Sequence, residues 1–244
     1  MEILVPGNLV VNKKGLEGEE AFIPEGCLIY FDEGAGLNVE GKLICEGSEE
    51  NPIQLLTFEG TWEGVTFEST ADLSGCNLEY TAIAFADIGL NLTGVTSSSP
   101  LTLSNCLIDS CGVGIYANNS RLNLTNSSVT RSHDATYSGA GVYLTTCSAG
   151  QVKIDNCVIA DNGTDGSVYS AGVFMWDSDP EITRCEITGN TGSGVCAYSS
   201  SPDLNTYDFT GYSTRHNAYT RTAERSRPAP TARKSSSPGA LPRS

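Results

Sequence analysis

One short phrase, apolar-x-apolar-x-Asn-Cys-x-Ile, returns four times between Leu101 and Val195, and it narrows what this chain can fold into more than any other feature. It reads Leu101-Thr-Leu103-Ser-Asn105-Cys106-Leu-Ile108, then Leu122-Asn-Leu124-Thr-Asn126-Ser127-Ser-Val129, then Val152-Lys-Ile154-Asp-Asn156-Cys157-Val-Ile159, then Pro180-Glu-Ile182-Thr-Arg184-Cys185-Glu-Ile187. Weaker copies at Leu73-Ser-Gly75-Cys76-Asn-Leu78 and Leu204-Asn-Thr206-Tyr207-Asp-Phe209 extend the register on both sides. Between the cysteine-like positions the steps are 30, 21, 30, 28 and 22 residues. A turn of about 21 residues carrying loop insertions of up to about 9 is the signature of stacked repeats.

Within each copy the apolar residues alternate, which makes short strands with one apolar face. No such strand buries that face alone. Stacking successive copies in parallel aligns Leu73, Leu103, Leu124, Ile154, Ile182 and Leu204 in one interior column. A second column is expected from Leu78, Ile108, Val129, Ile159, Ile187 and Phe209. The Asn105, Asn126 and Asn156 positions fall between two strand pieces, where asparagine tolerates a left-handed backbone and its amide can bond the next coil's asparagine. A further strand follows each copy, opened by glycine: Gly114-Ile115-Tyr116-Ala117, Gly141-Val142-Tyr143-Leu144, Gly172-Val173-Phe174-Met175 and Gly194-Val195-Cys196-Ala197. Two or three strands per turn of this length make a parallel β-helix.

On these Asn-Cys-x-Ile and Gly-Val phrases, over residues 2 to 212, the chain resembles the right-handed parallel β-helix proteins of the pectate-lyase-like superfamily. The resemblance implies an all-β, right-handed, single-stranded parallel β-helix, a solenoid of eight or nine coils. The stretch from Ile3 to Phe67 looks like the opening coils of bacterial members, with glycine-separated strands in Ala21-Phe-Ile-Pro-Glu-Gly26, Gly36-Leu-Asn-Val-Glu-Gly41 and Trp62-Glu-Gly-Val65. Function does not follow from the fold, because the same coil serves lyases, hydrolases, adhesins and inert spacers.

Composition divides the 244 residues into two parts. Residues 1–214 carry 7 basic and 28 acidic residues, a balance of −21, and residues 215–244 carry 7 basic and one acidic, +6, which sum to the net −15. The domain is read as residues 1–212, with regular coils from about 71 to 212. Residues 213–244 form a basic, Pro/Ser-rich tail with four of the ten prolines and no periodicity, expected to be disordered, either natural or the product of a frameshift. A body so acidic repels nucleic acid and anionic membrane, and no apolar run is long enough to span a bilayer. The start, Met1-Glu2-Ile3-Leu4-Val5-Pro6, has neither the basic nor the apolar segment of a signal peptide. The chain is therefore read as part of a larger secreted or cell-surface protein whose own start and first-coil cap lie upstream, monomeric or built into that protein.

Of the nine cysteines, Cys76, Cys106, Cys157 and Cys185 occupy an interior column and are read as buried thiols packed like small apolar groups. With no Cys-x-x-Cys pair and only His133 and His216, no zinc site is expected, and no cofactor is called for. Calcium would need six to eight converging oxygens. Asp134, Asp161, Asp165, Asp177 and Asp179 supply carboxylates without a calcium repeat, and solvation explains them more simply. Five Asn-x-Ser/Thr sequons, at Asn91, Asn118, Asn123, Asn126 and Asn162, are what an Asn/Ser/Thr-rich repeat generates by chance.

Two outward features could carry function. If Ile115, Val142, Val173 and Val195 point inward, Tyr116, Tyr143 and Phe174 face outward one above another, with Trp176 and Tyr198 two residues along. Aromatic faces stack on the apolar faces of sugar rings, so this stripe is the candidate ligand site; its plainer reading is rings packed on each other over the sheet. The insertions, Ser132-His133-Asp134-Ala-Thr-Tyr137-Ser and Gly163-Thr-Asp165-Gly-Ser-Val-Tyr169-Ser, make a loop wall beside it. Superfamily hydrolases and lyases use paired aspartates with histidine, or acids with a basic residue. Here the weak catalytic candidates are Arg131, His133, Asp134 and Asp161, with Arg131 beneath Asp161 as an expected ion pair. The preferred reading is a non-catalytic extracellular scaffold of adhesin type that binds a glycan or cell surface, with a polysaccharide lyase or glycoside hydrolase as the alternative and a passive spacer as the third.

Overall fold

The structure, a computed structural model, describes residues 2–11, 20–95, 97–133, 139–165, 170–205 and 208–209. The tail 213–244 and Asp134 lie outside them. Among the described residues, twenty-five strands form three sheets of nine, eight and eight strands, here A, B and C, and every strand pairing is parallel. The chain visits the sheets in strict rotation. One minimal coil runs Leu107–Asp109 in sheet A, Val113–Asn118 in sheet B and Leu122–Thr125 in sheet C, then returns to sheet A at Ser128–Thr130. The repeated phrase thus spans sheets C and A, and the glycine-led strand is sheet B.

Alternation along each strand sends one set of side chains into a continuous core. Leu103, Leu124, Ile154 and Ile182 share one register column with Leu204, and Ile108, Val129, Ile159 and Ile187 share another that extends to Phe209. Residues 20–67 lie in the same three sheets, so Ile29 and Leu55 continue the sheet A column and Cys45 the sheet C column. One register expectation fails. Leu103 pairs with Leu78, not Leu73, and Ile108 pairs with Ile83, not Leu78. The true copy runs Asn77–Glu79 and Thr81–Ala84, with Tyr80 where later coils have asparagine and Thr81 where they have cysteine. Leu73 and Cys76 are buried, but they belong to the turn that enters the coil.

From Tyr80 onward each corner opens on a residue at positive φ. Between sheets C and A these are Tyr80, Asn105, Asn126, Asn156 and Arg184, with φ from 43° to 55°. Between A and B they are Phe85, Ser110, Arg131, Asp161 and Gly189. Between B and C they are Gly94, Asn119, Thr146, Asp177 and Ser199. A left-handed residue costs about 1–2 kcal/mol for most side chains, and here a regular bond offsets it. Its N–H donates to a carbonyl of the next coil, as in Asn105 to Thr125 at 3.2 Å and Asn156 to Thr183 at 2.9 Å. Asparagine adds its own rung: Asn156 Nδ2 donates to Asn126 Oδ1 at 2.8 Å.

A small buried residue follows each corner and reaches along the stack. At the A-to-B corner Asn162 is fully buried; its Oδ1 accepts from the Ser132 N–H at 2.9 Å and its Nδ2 donates to Val129 O at 2.9 Å. Asn190 repeats the arrangement one coil on, accepting from the Asn162 N–H at 3.0 Å and donating to Ile159 O at 2.8 Å. This ladder, with the carbonyl of the next coil's glycine, leaves no room for a side chain at two of the glycines that open sheet B strands. A Cβ on Gly141 would sit 2.7 Å from Asn162 Nδ2, and one on Gly172 the same distance from Asn190 Nδ2. The sequon asparagine Asn162 is therefore a core hydrogen-bonding residue.

All nine cysteines are buried as free thiols. Cys106, Cys157 and Cys185 share the column after the C-to-A corner with Ser127, and each sulfur donates to carbonyls such as Leu78 O and Ser104 O for Cys106. Burial pushes the thiols of Cys45 and Cys111 up to about 12, and that of Cys106 up to about 11.

Candidate functional site

The outer face of sheet B carries two register columns. Asn91, Tyr116, Tyr143, Phe174 and Cys196 form one, and Thr93, Asn118, Thr145, Trp176 and Tyr198 form the other. Inward neighbours Ile115, Val142, Val173 and Val195 are all fully buried, so alternation places these columns outside, as expected. The rings form a connected run. Tyr116 to Tyr143 measures 5.5 Å between centroids, Tyr143 to Phe174 4.6 Å, and Phe174 to Tyr198 5.6 Å, each tilted by about 40°. Trp176 and Tyr198 lie closer to parallel, 5.7 Å apart at 18°.

Exposure divides the five rings. Trp176 is 47% exposed, and Tyr116, Tyr143 and Tyr198 are half-buried. Phe174 is fully buried, in an outer apolar cluster with Ala140, Ala171 and Cys196, against which Tyr143 and Tyr198 pack. It therefore supports the other rings and offers no face to a ligand. The accessible platform is the Trp176–Tyr198 pair, with Tyr143 and Tyr116 continuing down the stack.

Polar groups extend the face toward the N-terminal coils. Thr146 Oγ1 donates to Asn118 Oδ1 at 3.0 Å, Asn118 Nδ2 lies 3.5 Å from the Tyr116 hydroxyl, and Thr93 Oγ1 donates to Asn91 Oδ1 at 2.9 Å. The stripe read from the sequence left these side chains out: Asn118 stands two residues along from Tyr116 and register carries the columns down to Asn91 and Thr93, whereas Thr146 is a corner residue outside the alternation. Asp177, at the corner after Trp176, is exposed, and its N–H donates to Tyr198 O at 2.9 Å.

The weak catalytic candidates do not assemble as expected. Arg131 pairs with Asp109 of the preceding coil at 2.5 Å, and not with Asp161 above it; Thr130 Oγ1 donates to the same carboxylate at 2.6 Å. The same clamp recurs at a C-to-A corner, where Thr183 and Arg184 follow Asp155 by one coil. Thr183 donates to Asp155 at 2.6 Å and Arg184 forks onto both its oxygens, which holds that carboxyl down at about 2. The sequence signal is a Thr-Arg pair one coil after an aspartate. Its recurrence at a different corner marks it as a device that ties coils together. Asp161 Oδ1 lies over Gly189, 2.2 Å from where a Cβ would stand. His133 Nδ1 donates to Gly163 O at 2.7 Å, which ties one inserted loop to the next. Among the described residues no three histidine, cysteine or carboxylate side chains converge as a metal would need.

A separate cleft of about 390 Å³ opens between turns 31–33 and 57–59, beside Tyr30 stacked on Phe58 at 3.7 Å. It contains none of the candidates from the repeat, and its residues lie outside the phrases that made the stripe legible.

The fold and this face together define a parallel β-solenoid with an aromatic strip on one sheet. A family model described as the right-handed β-helix region matches residues 41–210, and the chain belongs to that family. No curated protein and no solved structure matches the chain.

Proposed function

We propose that this β-helix is a binding scaffold whose sheet B outer face holds a glycan along the solenoid axis. The single observation that carries the reading is the exposed, near-parallel Trp176–Tyr198 pair, whose Tyr198 ring packs on a fully buried Phe174. Rings packed only for their own stability would be expected to cover their largest member; here the largest is the one left open. An exposed indole stacked on a tyrosine that a buried apolar cluster holds loses little conformational freedom when a sugar ring stacks on it. Amide and hydroxyl groups of Asn118, Thr146, Asn91 and Thr93 continue the face with the donors and acceptors that sugar hydroxyls require. Export to a cell surface belongs to the same proposal, since extended glycans are met there.

The alternative, a polysaccharide lyase or hydrolase, loses support from the Arg131–Asp109 clamp, which commits the basic candidate to a structural partner. The test is a panel of neutral, amino and acidic polysaccharides, with binding read from indole fluorescence and cleavage from new reducing ends. Binding without cleavage is expected, and Trp176→Ala should weaken it by at least about tenfold, roughly 1.4 kcal/mol of ring contact, with the unfolding midpoint unchanged. Equal binding by the variant, or no binding across the panel, would overturn the reading. Turnover abolished by Arg131→Ala or Asp161→Ala would replace it with the enzyme.

A further inference from the structure

Resting on that reading, we infer that the aromatic face selects glycans bearing free amino groups and rejects polyuronates.

The described residues include five lysines and arginines against twenty-five aspartates and glutamates. Four of the five cations are committed to ion pairs: Lys42 with Asp72, Arg131 with Asp109, Lys153 with Glu181, and Arg184 with Asp155. The fifth, Arg121, stands beyond the B-to-C corner of a coil two below the Trp176 coil. From Asn91 to Tyr198 the two outward columns of sheet B hold only neutral side chains, so among the described residues no cation on this face meets a sugar carboxylate.

The margins of the face are acidic. Asp177 is exposed directly beside Trp176, and Asp179 follows on the same side of the sheet, its Oδ1 accepting from the Ser201 N–H. Across the face, before the strand Ala171–Trp176 begins, Asp161 and Asp165 are exposed on the A-to-B side. A glycan lying on the rings therefore runs between two carboxylate borders in the field of a strongly negative body. That field raises the local concentration of cations and opposes anions. An ammonium over an aromatic face gains further attraction from the ring quadrupole. A neutral sugar has only the stacking term, and a uronate carries a charge that nothing on the face compensates.

The experiment uses the full chain with three oligosaccharides of equal length: a fully deacetylated glucosamine oligomer, its N-acetylated counterpart and an oligogalacturonate. Calorimetric titration at low and at physiological salt is expected to show the amino oligomer binding at least about tenfold more tightly than the acetylated one at low salt, a margin narrowed by screening, with no uronate binding. Asp177→Asn should reduce the amino-sugar advantage and leave affinity for the acetylated oligomer unchanged. Trp176→Ala and Tyr198→Ala should weaken both.

Equal, Trp176-dependent binding of the amino and acetylated oligomers would overturn this inference and leave the glycan reading standing. So would tighter binding of the uronate. Amino-oligomer binding that survives Trp176→Ala would be general attraction to an acidic protein, and would also overturn it. Binding of none of the three would remove both.

Discussion

At the scale of single residues, the ladder asparagines show how a side chain that reads as polar decoration becomes part of the core. Asn162 has no exposed surface, yet its amide satisfies one backbone donor and one backbone acceptor in the coil below. Replacing it by alanine strips the buried Ser132 N–H of its partner and the Val129 carbonyl of its side-chain donor. Each such group costs about 1–3 kcal/mol, and the variant Asn162→Ala should lose about 2–5 kcal/mol in urea unfolding. Asn126→Gly is the contrast, because glycine keeps the left-handed corner without strain and only the exposed rung with Asn156 is lost, which should cost about 1 kcal/mol or less. Equal losses would mean that the ladder bonds do not act as the structure implies. The sequence made the Asn105, Asn126 and Asn156 column legible because the phrase around it is kept. The Asn162 and Asn190 ladder stayed hidden because one of its rungs is Ser132, and because each ladder asparagine stands beside a variable loop.

At the scale of the coil, corners and the residue after them set the register, and the one misread coil follows from that. Tyr80 and Thr81 do the work of Asn-Cys in the coil before Leu101, and a search for the Asn-Cys pair slips five residues to Gly75-Cys76. Thr81 has almost no exposed surface, so the position asks for a small side chain able to hydrogen-bond along the stack and does not ask for sulfur. Cysteine there is a packing residue, which makes its chemistry predictable. Burial raises the Cys45 and Cys111 thiols to about 12, well above the ordinary cysteine range near 8.5. At pH 8 the native protein should release almost no colour with a chromogenic disulfide reagent, and nine equivalents per chain after unfolding. The sign of the pH effect follows. Between about 8.5 and 12 the unfolded chain gives up thiol protons that the folded chain keeps, so the stability these groups contribute is complete below 8.5 and declines as pH rises through that window. Rapid reaction of several thiols in the native state would show that the corners open far more readily than their hydrogen bonds suggest.

At the scale of the whole molecule, each coil touches only the coils before and after it, so stability is a sum of local terms along one axis. The parallel solenoid was legible from the period alone. Which ring would be buried was not, because Phe174 is covered by groups packed across the outer face of the sheet, and alternation reports only side. Nor was the partner of Arg131, since a corner residue can reach either neighbouring coil and register does not say which. The one-dimensional arrangement makes position along the stack decide the effect of a core substitution. Ile159 is fully buried between Val129 below and Ile187 above, whereas Ile3, in the first described coil, pairs with Ile29 alone and is 36% exposed. Removing the side chain of Ile159 leaves a cavity that neighbours on both sides hold open, and Ile159→Ala should cost about 3–4 kcal/mol. Ile3→Ala removes surface already partly in water and should cost about 1 kcal/mol or less. Urea unfolding followed at Trp62, which is fully buried near the N-terminal coils, supplies one reading, and amide exchange across the strands on either side of Ile159 supplies the other. In a stack of nearest-neighbour contacts, Ile159→Ala weakens the link between the two halves, so exchange should rise most in coils next to it while strands around Trp62 keep their protection. A uniform rise across all three sheets would mean that the solenoid unfolds as one cooperative block, and that its coils are coupled beyond their immediate neighbours.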